Sequence, residues 1–272
     1  MFKFLVVPTA FVATLLVVAP QQAYSYSYYK SSQKTWHKTW DSRKPEAPKT
    51  HFVFTEKADD NNKVNLLSFK IVNGPVPKPT EKYDREKQFG PWVEQRNDNT
   101  CLDTRGKVLK RDSLSRIDVN SSCRVTHGEW HDPYTNRYIS NARDIQIDHV
   151  VALSNAYKSG AFEWAENKRC LYANYMGNDF HLLSVDGEEN EKKLDYDPSV
   201  YVPPNHGFTC EYLKTWLKIK NIWGLRMTFK EASAILNYVD KEGCDRKDFL
   251  VSKLEVENQR RYIQNNLNYC KR

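Results

Sequence analysis

Apolar positions are distributed unevenly along the chain. After Met1, Phe2 and Lys3, residues Phe4 to Pro20 form an almost unbroken hydrophobic run. A charged start and a short apolar core are the pattern of a secretory signal peptide, and the run is too short to span a bilayer comfortably. Cleavage after Ser25, or after Ala23, is expected, so 1–25 is read as a leader, and no stop-transfer charges follow to make it an anchor. From there to about Lys82 periodic apolar positions nearly vanish and Tyr, Ser, Lys, Thr and Pro dominate, which marks 26–82 as a low-complexity tail and linker. Inside it, Asn65 to Val72 suits a strand or a docking segment. The Tyr-, Trp- and Lys-rich piece 24–40 suits a spacer, with polyanion or surface binding as its alternative. Regular patterning starts near Tyr83, and 83–272 is long enough to form one domain with a real core.

Within that domain the period changes from segment to segment. The Gly- and Pro-punctuated stretch HGEWHDPYTNRYISN reads as turns between short strands, with His127 and His131 as turn residues. Asp144 to Asp148 alternates polar and apolar residues, predicting a half-buried strand that delivers Asp148 and His149 to its end. Ser154 to about Asn174 is helical in composition despite Gly160. His181 to Val185 is a second short strand, stopped by the turn dipeptide Asp186-Gly187, and a short helix over Glu188 to Lys193 follows. Glu211 to Trp223, a helix opened by the capping box Thr228-x-x-Glu231, and Asp245 to about Leu267 are predicted helices. The aromatic and basic residues of 211–226 place their apolar members at helical spacing, the mark of a core stripe with a solvated basic face. The fold class is α+β, with short strands and additional C-terminal helices.

Six cysteines lie beyond the leader: Cys101, Cys123, Cys170, Cys210, Cys244 and Cys270. An even number in an exported chain favours disulfides, no CxxC pair supports structural zinc, and the count alone leaves the pairing open. A formal charge of +7 suits nucleic acid, a membrane surface or an acidic polysaccharide, and equally suits plain solubility. No second apolar segment is long enough to span a membrane.

The strand–turn–strand–helix arrangement brings chemistry-bearing residues into one region. A metal-assisted phosphodiesterase needs a base for water, hard oxygen ligands for a divalent cation, and a group that fixes the base's tautomer. His149 is placed to be the base. Asp148 and Asn190 offer a carboxylate and an amide oxygen suited to Mg2+ or Mn2+, and His181 can orient His149 or act as a ligand. Taken singly, each has a structural alternative: a strand histidine is commonly a satisfied core group, and Asn190 can cap a helix.

The blocks YDREKQFGPW (83–92), DNTCLDTRGKVLKRD (98–112), SSCRVTHGEWHDPYT (121–135), IQIDHVVALSNAYKSGAFEW (145–164), LLSVDGEENEKKLDYDP (182–198), YVPP (201–204) and CEYLKTWLKIKNIW (210–223) resemble, in order and spacing, the HNH nucleases. More closely, they resemble the HNH domain of GmrSD-type restriction endonucleases and its secreted relatives. The resemblance implies a disulfide-braced ββα-metal core with His149 as base, Asp148 and Asn190 as metal ligands, and Lys193 near the phosphate or ordering the following loop. It implies Cys101–Cys123 and Cys210–Cys244, leaving Cys170 and Cys270 as an added pair. Arg111 and Asp112 become a buried support of the site or a phosphate contact, where the bland reading is an ordinary ion pair. The middle motif position, commonly Asn in such relatives, falls on His181, or on Asn178 if the alignment slips by three. Gln146 stands where an acidic residue is common.

These implications point to a secreted, monomeric, metal-dependent endonuclease acting on DNA, with RNA as the alternative substrate and little sequence specificity. The competing readings are a secreted nucleic-acid or cell-surface binding protein on the same fold with catalysis lost, and an envelope protein held by its basic tail.

Overall fold

A computed structural model describes residues 50–55, 58–59, 61–73, 77–94 and 99–271. The expected leader and the 24–40 segment lie outside them. In chain order the elements are β1 (Thr50–Phe54), β2 (Lys63–Asn65), β3 (Phe69–Asn73), α1 (Arg85–Phe89), α2 (Thr104–Asp112), β4 (Asp118–Val119), β5 (Val125–Asp132), β6 (Arg137–Asn141) and β7 (Ile145–His149). They continue with α3 (Leu153–Lys158), α4 (Glu166–Ala173), β8 (Leu182–Asp186), α5 (Gly187–Lys193), α6 (His206–Trp223), β9 (Met227–Thr228), α7 (Phe229–Lys241), β10 (Leu250–Ser252) and α8 (Lys253–Asn265). This is a mixed α+β fold of small sheets and short helices.

The strands fall into four antiparallel groups, β3-β1-β9, β10-β2, β4-β5-β6 and β7-β8. Two of these correct the reading of 26–82 as a tail and linker. Residues 50–73 form three strands, with β1 paired to β9 and β2 to β10, so this stretch belongs to the domain. Only Asn65 to Val72 carried a strand pattern. The rest is held by backbone ladders together with Phe52, Phe54 and Val64, which join the larger core. β10 likewise interrupts the single helix expected from Asp245 to Leu267, because Leu250–Ser252 pairs with Lys63–Asn65.

The helix expected over 154–174 is broken as well. Gly160 adopts φ +130°, and an added Cβ would stand 3.2 Å from the Arg226 guanidinium. The chain turns there because Arg226 N–H donates to the carbonyl of Ser159, and a positive φ is open to glycine at little cost. The capping box at Thr228 and Glu231 is present with both of its bonds.

Two cores result. The larger surrounds α6, where Tyr212, Leu213, Trp216, Leu217, Ile219 and Trp223 are buried. The aromatic stripe of 211–226 is therefore core. The smaller core joins Val108 and Leu109 of α2, Trp130 of β5, Ile145 and Ile147 of β7, and Leu182 of β8. All three disulfides take the expected pairing, Cys101–Cys123, Cys170–Cys270 and Cys210–Cys244.

Candidate functional site

β7 and β8 pair with Asp148 opposite Leu183 and His149 opposite Leu182, and α5 starts directly after β8. Alternation along β7 sends Ile145 and Ile147 into the smaller core and gives Gln146 and Asp148 to α5. Asn190 and Lys193 lie nearly one helical turn apart on α5 and meet strand residues two apart. Asn190 Nδ2 donates to Gln146 Oε1 at 2.8 Å, and Lys193 Nζ donates to Asp148 Oδ1 at 2.8 Å. Asp186 caps this helix by accepting from Glu189 N–H, and Arg137 holds its other carboxylate oxygen.

Asp148 is sealed, at 4% exposed, and both its oxygens are engaged. Oδ2 accepts from the Tyr134 hydroxyl at 2.5 Å. Burial pushes its carboxyl pKa up, opposed by the Lys193 ammonium and the Tyr134 hydroxyl. Lys193 is 0% exposed and also donates to the carbonyl of His149 at 3.2 Å. The expectation that Lys193 stands near a phosphate is corrected on this ground: an ammonium wholly buried against Asp148 holds that carboxylate and has no surface to offer. Tyr134 is set by the Asp132 turn, whose carboxylate accepts from Tyr134 N–H, Thr135 N–H and the Thr135 hydroxyl. An Asp-Pro-Tyr-Thr string is a turn signal, but nothing in it announces a phenol aimed at a carboxylate 14 residues away.

His149 lies on the other side of the strand. Its Nε2 is 2.9 Å from the carbonyl oxygen of Ala173 at the end of α4. A carbonyl only accepts, so Nε2 carries the proton and Nδ1 keeps the lone pair. The ring stacks on Trp92, with centroids 5.3 Å apart and planes 3° apart. Burial holds its pKa well below the ordinary histidine range, assisted by the nearby His181. Nδ1 has no hydrogen-bond partner among the described residues and is not a sealed atom, whereas Nδ1 of His181 is both sealed and unpartnered. The arrangement therefore supplies one neutral, oriented imidazole whose Nδ1 takes part in no hydrogen bond among the described residues.

His181 and Asn178 take different places. His181 is 1% exposed, its Nε2 donates to the carbonyl of Tyr172 at 2.9 Å, and burial lowers its pKa to about 3. Its ring centroid is 6.3 Å from that of His149. Asn178 turns the chain into β8, accepting from His181 N–H while donating to Gln259 of α8. Arg111 forks onto Asp112 and donates to the carbonyls of Asn178 and Leu182, and Asp112 accepts from Ser184 N–H. Through these bonds the pair braces the edge of β8.

Asp148 and Asn190 are the candidate cation ligands. Both are hard oxygen donors, and Mg2+ is commonly held by one or two carboxylates plus substrate phosphates and water. Among the described residues no group of three His, Cys, Asp or Glu side chains converges as a metal site. To bind an ion Asp148, sealed with both oxygens engaged, would have to share its Oδ1 with Lys193.

Comparison with known proteins decides the family. Residues 103–237 match the GmrSD restriction endonucleases, C-terminal domain. An uncharacterized secreted protein of Arthroderma benhamiae is 37% identical over 162 residues, 60% of this chain and 76% of the relative. The chain belongs to the GmrSD C-terminal domain family. No solved structure matches it. The secreted relative and the three disulfides agree on compartment, because disulfides form and persist outside the reducing cytosol. This GmrSD-family protein is secreted, and no helix among the described residues is long and apolar enough to cross a membrane.

Proposed function

We propose that this protein is a secreted, metal-dependent endonuclease that hydrolyses phosphodiester bonds of DNA, with RNA as the alternative substrate, and with little sequence specificity. In this reading β7, β8 and α5 are the ββα-metal core of an HNH nuclease. The observation that carries it is His149: Nε2 donates to Ala173 O, the ring lies flat on Trp92, and Nδ1 takes part in no hydrogen bond among the described residues. As general base, Nδ1 takes a proton from the water whose oxygen attacks phosphorus, the P–O ester bond opposite breaks, and the leaving oxygen takes a proton from solvent. The Ala173 carbonyl steadies the imidazolium that forms. Asp148 and Asn190 would hold the divalent ion, Mg2+ or Mn2+, which when bound supplies Lewis-acid stabilisation of the charge on the phosphate. His181 is a positioning residue, because it holds the carbonyl next to the one that orients His149.

Plasmid nicking with Mg2+, with and without a chelator, tests the activity, and His149→Ala tests the mechanism. The expected loss is roughly 100- to 10,000-fold, the range for removing a general base. Nicking by His149→Ala at the wild-type rate would overturn the assignment. Because burial depresses the His149 pKa, the base stays neutral on mild acidification, and the acid limb of kcat/KM should lie below pH 6.5. A binding protein with catalysis lost is favoured by one observation, the engagement of both Asp148 oxygens. Duplex binding without nicking in any divalent ion would select that reading.

A further inference from the structure

A phosphodiesterase site needs a cation that an incoming phosphate can reach, and most candidates near β7 are already occupied. Lys193 is buried on Asp148, Lys158 pairs with Asp195, Arg111 is forked onto Asp112, and Arg137 pairs with Asp186. Arg105 donates to the carbonyls of Ala142 and Ile145. Arg85, the first residue of α1, differs. It is exposed, and its guanidinium lies over the Trp92 ring at 5.4 Å from the centroid. That same ring stacks on His149. Among the described residues Arg85 has neither an acidic partner nor a hydrogen-bond acceptor. Contact with the ring uses the cation's charge and leaves its N–H donors unused. Trp92 also lines a cleft of about 800 Å3 with Gly90, Pro91, Asn167, Lys271 and the carboxylates Glu94 and Glu166.

We propose that Arg85 is the phosphate-binding residue of this site, its fork of donors taking two oxygens of a nucleic-acid backbone phosphate while Trp92 fixes it beside His149. A guanidinium suits that task because its planar fork matches phosphate geometry bidentately, which an ammonium cannot do. The proposal rests on the nuclease reading for its substrate class but is tested without catalysis.

The test is fluorescence anisotropy of a short fluorescein-labelled DNA duplex, titrated with the full protein in chelator across a NaCl series. The proteins are wild type, Arg85→Ala, Arg85→Lys and, as a charge-loss control, Lys230→Ala. Loss of one phosphate contact should flatten the slope of log K against log salt by about 0.9 and weaken low-salt binding roughly tenfold. Arg85→Lys should recover the slope but only part of the affinity, and Lys230→Ala should leave the slope at the wild-type value. In nicking assays Arg85→Ala should raise KM more than it lowers kcat. An Arg85→Ala slope and KM equal to those of wild type would overturn the role of Arg85 while leaving the nuclease reading intact. Wild-type binding without cleavage, with the slope change present, overturns the nuclease and keeps Arg85. No binding of DNA or RNA by the wild type overturns both.

Discussion

Two buried lysine–carboxylate pairs organise this molecule, and their surroundings differ. Lys220 of α6 meets Glu231 of α7 at 2.7 Å, with side chains 0% and 2% exposed. Its ammonium also donates to the Ser159 hydroxyl and the Arg226 carbonyl. Glu231 accepts from Trp216 Nε1 through Oε1 and from Thr228 N–H through Oε2. Lys193 and Asp148 are as deeply buried, at 0% and 4%, yet Lys193 donates to two acceptors where Lys220 donates to three, and its partner lies next to His149. Burial pushes both carboxyls up in pKa, and in both the lysine opposes it most. The first pair is fixed from every side and locks helices together. The second is held by fewer donors and acceptors and lies beside His149, whose Nδ1 takes part in no hydrogen bond among the described residues, which is what separates a scaffold from a candidate site.

Breaking the scaffold pair should cost the most. Lys220→Met removes the cation from buried Glu231 and the donor from the Ser159 hydroxyl and the Arg226 carbonyl, and should destabilise by about 4–5 kcal/mol, the upper part of the range for removing one partner of a buried pair. Thermal or urea unfolding measures this, and no divalent ion should restore the loss. Lys193→Met should cost about 3 kcal/mol, because this ammonium serves two acceptors where that of Lys220 serves three. Here the comparison sharpens. With Lys193 gone, a divalent cation can neutralise Asp148, so Mg2+ or Mn2+ should raise the melting temperature of Lys193→Met and leave that of Lys220→Met unchanged. Equal indifference of both variants to divalent ions would remove Asp148 from any metal site.

The two pairs also differ in how far the sequence reveals them. Thr228-x-x-Glu231 is a local pattern, and both bonds of its capping box are present. The alternation around Ile145 and Ile147 and the turn at Asp186-Gly187 likewise anticipate β7, β8 and α5, with boundaries moved by about one residue. Asp148 and Lys193 are 45 residues apart, and only resemblance to a family connected them. Tyr134, Trp92 and the Ala173 carbonyl escaped notice, because a phenol aimed at a carboxylate or a ring stacked on an imidazole is made by tertiary packing of distant segments. Residues 50–73 escaped for a different reason: their pairing with β9 and β10 is through backbone groups, which every sequence possesses.

The smallest variant effect should appear on acidification, where one histidine is removed from the response, and it belongs to the site rather than the scaffold. His149 and His181 are buried and neutral, His181 with a pKa lowered to about 3. Their folded values lie below that of an unfolded histidine, roughly 6.5. Below that pH the unfolded chain therefore binds protons that the folded one refuses, and stability is lost as pH falls. Each such histidine contributes roughly 1.4 kcal/mol per pH unit between 6.5 and its folded value. The raised carboxyls, Asp148 and Glu231, work in the opposite sense, since the folded state takes up their protons first. They therefore weaken the acid loss toward its lower end. Between about pH 5 and 6.5 the histidines should dominate, and urea midpoints should fall with pH. His181→Asn keeps a donor for the Tyr172 carbonyl but cannot titrate, so it should remove close to half of that slope. A slope unchanged in His181→Asn would mean that His181 is not held neutral in the fold, and would remove it as the support of the carbonyls that orient His149.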